Sequence, residues 1–272
     1  MLTAVVGMFL ATTELPPLHL VILASIGIAF ASCSAAVFNH IVDQKIDNEM
    51  HRTSNRPLPE GKISSRTAFI FGATLGVIGI GVLLIGVNIL TAVLTFFALI
   101  GYAVFYTMYL KRATPQNIVI GGAAGAAPPL LGWVAITNSI ELGALLLFLI
   151  IFIWTPPHFW ALAIHRQKEY AKVNIPMLPV THGHHFTRIQ ILLYTILLFI
   201  VTLMPYLVAM SGLIYLAGAI VLGIGFLYYA VELLRRPDDK ALPMKTFGYS
   251  INYLMILFVV LLVDHYYPIF LT

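Results

Sequence analysis

Long apolar runs separated by short polar stretches dominate the chain. The runs fall at Leu2–Thr12, Leu18–Phe38, Thr67–Val87, Ile89–Met108, Asn117–Ile136, Leu142–Ile164, Ile189–Met210, Leu213–Leu234 and Phe247–Leu271. A helix needs about 20 residues to cross the hydrocarbon of a bilayer. Every run but the first reaches that length. The first supplies about half of it, so either it enters only partway or the natural chain begins further upstream. Lipid cannot bond backbone groups, which leaves helices or a closed barrel. Barrel strands alternate in polarity over about ten residues, whereas these runs are continuous and longer. The pattern predicts an all-α, polytopic membrane helix bundle of nine transmembrane helices, forming a single domain over residues 1–272.

Composition agrees. Of the 272 residues 60% are hydrophobic and 10% charged, with a mean hydropathy of +0.94. A soluble domain carries roughly 25% charged residues, so too little polar surface exists to cover a water-soluble globule. The lone cysteine, Cys33, allows no intramolecular disulfide and reads as a small buried packing residue. No basic segment follows Met1, so no cleavable signal is expected.

The loops alternate in character. Asn39–Arg66, Leu110–Gln116, His165–Arg188 and Arg235–Thr246 are polar and hold all fifteen Lys and Arg residues. The intervening turns are short. The positive-inside rule places the basic set on the cytoplasmic side, and the expected location is the cytoplasmic (inner) membrane of a prokaryote. Nine spans then put the N-terminus inside and the C-terminus outside. The net charge of +4 follows this topology and does not point to nucleic acid.

The most informative stretch runs from Asn39 to Pro59. Asn39, Asp43 and Asp47 are four residues apart, so they share one helical face. Two carboxylates and an amide oxygen suit a hard cation such as Mg²⁺, which completes its shell with water and substrate phosphates. A solvated, charge-balanced loop would explain the charges but not the stripe at a membrane mouth, where uncompensated charge is costly. Arg52 and Arg56 follow, either as topology anchors or as grips for phosphate oxygens. Lys111 and Arg112 close the fourth run beside Tyr109, either as anchors or to stabilise a departing diphosphate.

The Gly121–Pro129 stretch offers small residues for close helix packing or room for a bulky planar ligand. Pro156 and Pro157 remove two backbone donors within a run. His158 beside them is a candidate haem-iron ligand or proton-handling group. Arg166, Glu169 and Tyr170 lie just beyond as candidate substrate contacts. His182, His184 and His185 sit in a polar loop without an acidic partner, a poor metal site.

These motifs together resemble the UbiA superfamily of intramembrane prenyltransferases. Asn39-x-x-x-Asp43-x-x-x-Asp47, Arg52 and Asn55-Arg56-Pro57-Leu58-Pro59 are similar to its first aspartate-rich motif. Tyr106-Thr107, Leu110-Lys111-Arg112, Gly125–Pro129, Pro157-His158-Phe159 and Ile175–Pro179 resemble the branch of that superfamily that farnesylates haem. The resemblance implies helices around a central cavity capped from the cytoplasmic side. It implies farnesyl diphosphate and haem b as substrates, Mg²⁺ as cofactor, and a product passed to a haem A synthase or to haem-copper oxidase assembly. In that reading Asn39, Asp43 and Asp47 hold the metal and Lys111, Arg112 and Arg166 take up leaving-group charge. Arg52, Arg56, Tyr109, His158, Glu169 and Tyr170 contact substrate. Glu169 stands where most of the superfamily carries a second aspartate motif. A prenyltransferase of quinone precursors would be expected to keep that motif. A secondary transporter would place polar groups inside the spans.

Overall fold

The computed structural model describes residues 1–50, 53–267 and 269. Arg52, one of the expected substrate contacts, lies outside the described residues. Helices α1 (Leu2–Leu10), α2 (Leu18–Val42), α3 (Gln44–Glu49), α4 (Ser65–Gly86) and α5 (Ile89–Ile100) come first. A π-helical segment, Gly101–Leu110, continues α5 into α6 (Lys111–Ala113). Then follow α7 (Asn117–Thr137), α8 (Leu142–His165), α9 (Gln167–Lys172), α10 (Leu178–Thr181), α11 (Gly183–Leu207), α12 (Leu213–Arg235) and α13 (Leu242–Tyr266).

Eight helices among the described residues are long and apolar enough to cross a membrane, so the chain is an integral, multi-pass membrane protein. Helix α1, with nine residues, spans about 14 Å, under half of a bilayer's hydrocarbon. It lodges in the half of the bundle away from the basic loops. His265, near the end of α13, bonds the carbonyl of Thr12 at 2.8 Å. A Cβ on Gly132 of α7 would fall 2.0 Å from the carbonyl oxygen of Ala4, and one on Gly7 would fall 2.3 Å from that of Pro129. The two backbones therefore meet with no room for side chains, as small residues allow in membranes.

Successive spans pack on one another, α2 on α4, α7 on α8, α8 on α11 and α11 on α12, while α13 closes back on α8 and α1 lies against α7. Outward faces carry exposed Phe69, Phe71, Val77, Ile85, Phe97 and Val221, suited to lipid. Cys33 is exposed too, a correction to its expected burial.

Hydropathy misplaces several helix ends. Helix α11 begins at Gly183 and α13 at Leu242, earlier than the apolar runs at Ile189 and Phe247. Helical hydrogen bonding does not stop where the hydrocarbon does, and long basic side chains lie along the interface. The three histidines near residue 184 therefore sit at the start of α11 and not in a free loop. Deep in the opposite end, Asp264 is fully buried. Its carboxylate accepts from the backbone N–H of Gly212 and, at 3.1 Å, of Tyr215. It thus serves the free donors at the start of α12.

Candidate active site

The acidic stripe forms where α2 leaves its spanning stretch. Asp43 lies at the junction of α2 and α3 with φ −87° and ψ 2°. The helical bonds survive the junction, with Asp43 N donating to Asn39 O at 2.9 Å and Asp47 N to Asp43 O at 2.8 Å. The four-residue spacing keeps its meaning, and Asn39, Asp43 and Asp47 follow one another up one helix edge. Beyond them the loop folds back. Thr53 Oγ1 donates to Asp47 O at 3.0 Å and Gln44 Nε2 to Leu58 O at 3.1 Å.

Asp43 and Asp47 are 1% and 4% exposed, and buried carboxylates persist only when paired. Lys111 Nζ pairs with Asp43 Oδ2, and Arg112 lies 3.8 Å from Asp43 Oδ1. Arg56 Nη1 pairs with Asp47 Oδ2 at 2.6 Å. Three cations therefore face two acids, a balance that draws in an anion. Asp43 Oδ1 is buried without a hydrogen-bond partner among the described residues. Asn39 donates its amide N–H to Thr107 Oγ1 at 3.2 Å, which leaves its oxygen free of that contact. No group of three or more His, Cys, Asp and Glu gathers to cage an ion among the described residues. This sparse set of oxygens fits Mg²⁺ that takes its remaining ligands from water and phosphate.

The π-helical segment builds the facing wall. Thr107 Oγ1 donates to Tyr102 O at 2.8 Å, and the rings of Tyr102 and Tyr106 stack at 5.4 Å. A Cβ on Gly121 would sit 2.1 Å from the Tyr106 ring, so only glycine admits that ring. Tyr170 of α9 interacts with Tyr106, and Lys172 Nζ reaches Glu49 O at 3.2 Å, joining α9 to α3 across the mouth. Asn117 is wholly buried beside the cations, donating to Lys111 O at 3.4 Å.

Below the stripe, α2, α5, the π segment and α7 line a cavity of about 240 Å³ that is open along one side. Ala36, Ala35, Ser32, Ala31 and Ile28 form its α2 wall, and Tyr102, Gly125 and Leu131 lie opposite. Its upper end, at Ala36, is within one turn of Asn39.

Other expected site residues sit elsewhere. Tyr109 is 63% exposed and turned outward. Arg166 and Glu169 face a separate polar cleft and lie 3.6 Å apart. His158 is buried, stacked between Trp154 at 4.1 Å and Phe247 at 4.5 Å. Its Nδ1 meets Ser250 Oγ at 2.7 Å, and that hydroxyl donates to Phe247 O at 2.6 Å. The hydroxyl's only hydrogen is thus committed, so Nδ1 donates, and the uncharged ring carries its lone pair on Nε2. Sequence reasoning misses Tyr102, Tyr106, Thr107 and Asn117 as site residues, although Tyr106-Thr107 belongs to the resembling motif.

An all-helical membrane bundle with an acid–cation cluster above an apolar cavity suits an enzyme acting on a long-tailed diphosphate. The chain belongs to the UbiA prenyltransferase family, whose profile matches residues 1–263. It is 64% identical to the protoheme IX farnesyltransferase of Ruthia magnifica subsp. Calyptogena magnifica, over 99% of this chain and 91% of that one. In fold it is similar to a digeranylgeranylglyceryl phosphate synthase, with TM-score 0.83 and 22% identity over 97% of this chain and 92% of that chain. It is similar also to a UbiA homologue from Archaeoglobus fulgidus bound to GPP and Mg²⁺, with TM-score 0.64 and 16% identity over 96% of this chain and 94% of that chain.

Proposed function

We propose that this chain transfers the farnesyl group of farnesyl diphosphate to a vinyl group of protohaem IX (haem b), with addition of water, giving haem O and diphosphate. The observation that carries the donor half is the continuity of α2. One helix edge presents Asp47, Asp43 and Asn39 at the polar mouth and then Ala36, Ser32 and Ile28 along an apolar cavity. That sequence of surfaces matches a diphosphate joined to a hydrocarbon tail. The relative from Ruthia magnifica, named for protoheme IX and farnesyl transfer, supports the acceptor and the chain length. The bound GPP and Mg²⁺ of the Archaeoglobus homologue support a metal–diphosphate at the mouth.

Asp43, Asp47 and the Asn39 amide oxygen would hold Mg²⁺. A metal held by these residues would supply charge neutralisation to the diphosphate as it departs. Lys111, Arg112 and Arg56 grip the phosphate oxygens, exchanging carboxylate partners for phosphate ones. As the C–O bond breaks, the pair of electrons leaves with the diphosphate. The Tyr102 and Tyr106 ring faces stabilise the allylic cation, and the apolar wall keeps water from trapping it early. The haem vinyl π electrons then close the new C–C bond. Water adds to the carbon left positive, losing a proton to give the hydroxyl. His158, with its Nε2 lone pair, is the candidate ligand to haem iron. The product passes to a haem A synthase or to haem-copper oxidase assembly.

Membranes holding the protein, given haem b, farnesyl diphosphate and Mg²⁺, should yield a haem heavier by one farnesyl group plus hydroxyl. Chelating Mg²⁺ should stop the reaction. Prenylation of 4-hydroxybenzoate with haem unchanged would overturn the acceptor. His158→Ala should weaken haem binding more than farnesyl diphosphate binding; equal loss of both would leave His158 a packing residue.

The basic loops support a working face on the cytoplasmic side, in the inner membrane of a prokaryote. Reporter fusions at Lys62 and Lys240 should report cytoplasmic and one at Ser139 external. An external Lys62 fusion would reverse the arrangement.

A further inference from the structure

The chemistry above leaves one polar cleft unused. It opens where the basic-loop ends of α8, α9, α11 and α13 meet and encloses about 680 Å³. His165, Arg166, Lys168, Glu169, His184 and Arg188 line it, with the 237–240 turn at its rim. Its donors are not satisfied from within. Arg166 Nε and Arg188 Nε are buried without a hydrogen-bond partner among the described residues, and so is His184 Nε2, which donates in one tautomer of the ring only. Arg188 is only 8% exposed, and its Nη2 donates to Pro237 O at 2.7 Å. A guanidinium has five donors and no acceptor, and buried donors left unpaired are costly.

The acids nearby do not meet that demand. Glu169 Oε2 stands 3.6 Å from Arg166 Nη1, too far for a hydrogen bond, and is itself buried without a partner among the described residues, so this one acid faces the guanidinia of both Arg166 and Arg188. Asp239 Oδ1 accepts from Ala241 N at 2.9 Å, and Asp238, exposed at the rim, acts on Arg188 through its charge without a hydrogen bond to it. What the cleft lacks is a negatively charged acceptor from outside the chain.

We propose that this cleft takes the carboxylates of the haem acceptor, an inference that rests on the function proposed above. Haem carries two ionised carboxylates along one edge of an otherwise apolar disc. A disc drawn into the bundle must leave that charged edge at a polar mouth. Arginine forks match carboxylates in shape as well as charge. Helix α8 also supplies a scale. His158 and His165 are two turns apart on nearly one face, about 10 Å along the axis. That is about the reach from haem iron through half the macrocycle and a propionate arm, counted in bonds of about 1.5 Å. A phosphate group, from a lipid head or from released diphosphate, offers the same oxyanion chemistry, and the test must separate these sources.

The test uses the full chain in detergent, with haem binding followed by absorption spectroscopy. Arg188→Gln and, separately, Arg166→Gln should weaken protohaem binding about tenfold or more. Neither should alter the already weaker binding of protohaem dimethyl ester, whose esterified arms carry no charge. In turnover both should raise KM for haem more than KM for farnesyl diphosphate. Arg188 is buried and its variant could fail to fold, in which case Arg166→Gln and Lys168→Gln carry the comparison. Parallel loss of haem and ester binding would overturn the proposal. So would calorimetric loss of inorganic phosphate or diphosphate binding in the variants with haem affinity intact, which would make the cleft a phosphate site. A wild-type chain that binds no haem at all would instead overturn the proposed function, so the two failures are distinct.

Discussion

Asp43→Asn and Asp47→Asn should each lower haem product formation by about 10²–10³-fold, the scale of losing one preorganised electrostatic contact in a transition state. The substitution keeps side-chain shape and an acceptor oxygen but removes the charge. Lys111 and Arg56 would each retain the amide oxygen as an acceptor, so the fold should survive and the protein should elute normally in detergent. Two roles for Asp43 compete. It lies against Lys111, so it could serve only to neutralise a buried cation. A double variant decides between them. If neutralisation is its whole role, Asp43→Asn combined with Lys111→Gln should recover activity. If it holds a metal–diphosphate, the double variant stays inactive, since both the metal ligand and the phosphate grip are gone. Near-normal turnover by both single aspartate variants would remove the stripe from the mechanism.

The parts of this site that the sequence disclosed are those governed by local helical geometry. A spacing of four names a helix face whether or not tertiary structure is known, and so Asn39, Asp43 and Asp47 were legible. The ends of the apolar runs told where hydrocarbon stops but not where helices stop, hence the earlier starts of α11 and α13. The π-helical winding was invisible, because hydropathy does not register one extra residue per turn. Its effect is local and specific. Three residues beyond Tyr106, an α-helix would bring Tyr109 back toward the same face. The wider winding, with bonds from i to i+5, carries Tyr109 outward and leaves Tyr102 and Tyr106 stacked. Arg166 and Glu169 follow α8 in sequence, but nothing in their spacing tells which opening they face. Arg56 was legible as a cation near the stripe, yet its pairing with Asp47 depends on the loop folding back through Thr53 and Gln44. Asn117 was hidden because an isolated amide at the start of an apolar run reads as a boundary.

Filling the cavity should change which donor the enzyme prefers. Ser32→Phe is expected to cut turnover of farnesyl diphosphate by about 10²-fold and to bring geranyl diphosphate level with it or ahead. The cavity holds about 240 Å³. An apolar cavity of about 150 Å³ accommodates benzene, so by proportion this one takes roughly ten carbons, the two distal isoprene units of farnesyl. Length agrees. Ala36 to Ile28 is about 12 Å along the helix axis, and an isoprene unit spans about 5 Å from four bonds of about 1.5 Å. The first unit then lies beside Asn39, next to the diphosphate. Ile28 and Leu131, 1% and 3% exposed, close the floor against Met8 and Leu83. In the wild type, geranyl leaves one unit of this space unfilled. At about 0.8 kcal/mol per methylene-sized group, five carbons bring an upper limit of about 4 kcal/mol in favour of farnesyl. Ser32 sits midway along the α2 wall, its hydroxyl bonded to Ile28 O at 2.8 Å, and the space before it is open. A phenyl ring there occupies the volume of the terminal unit, so farnesyl loses its advantage while the mouth is untouched. The check is a competition between the two donors in one vessel, with haem products resolved by mass. A donor ratio unchanged from the wild type, in a variant that still turns over, would mean that the tail does not run down this cavity.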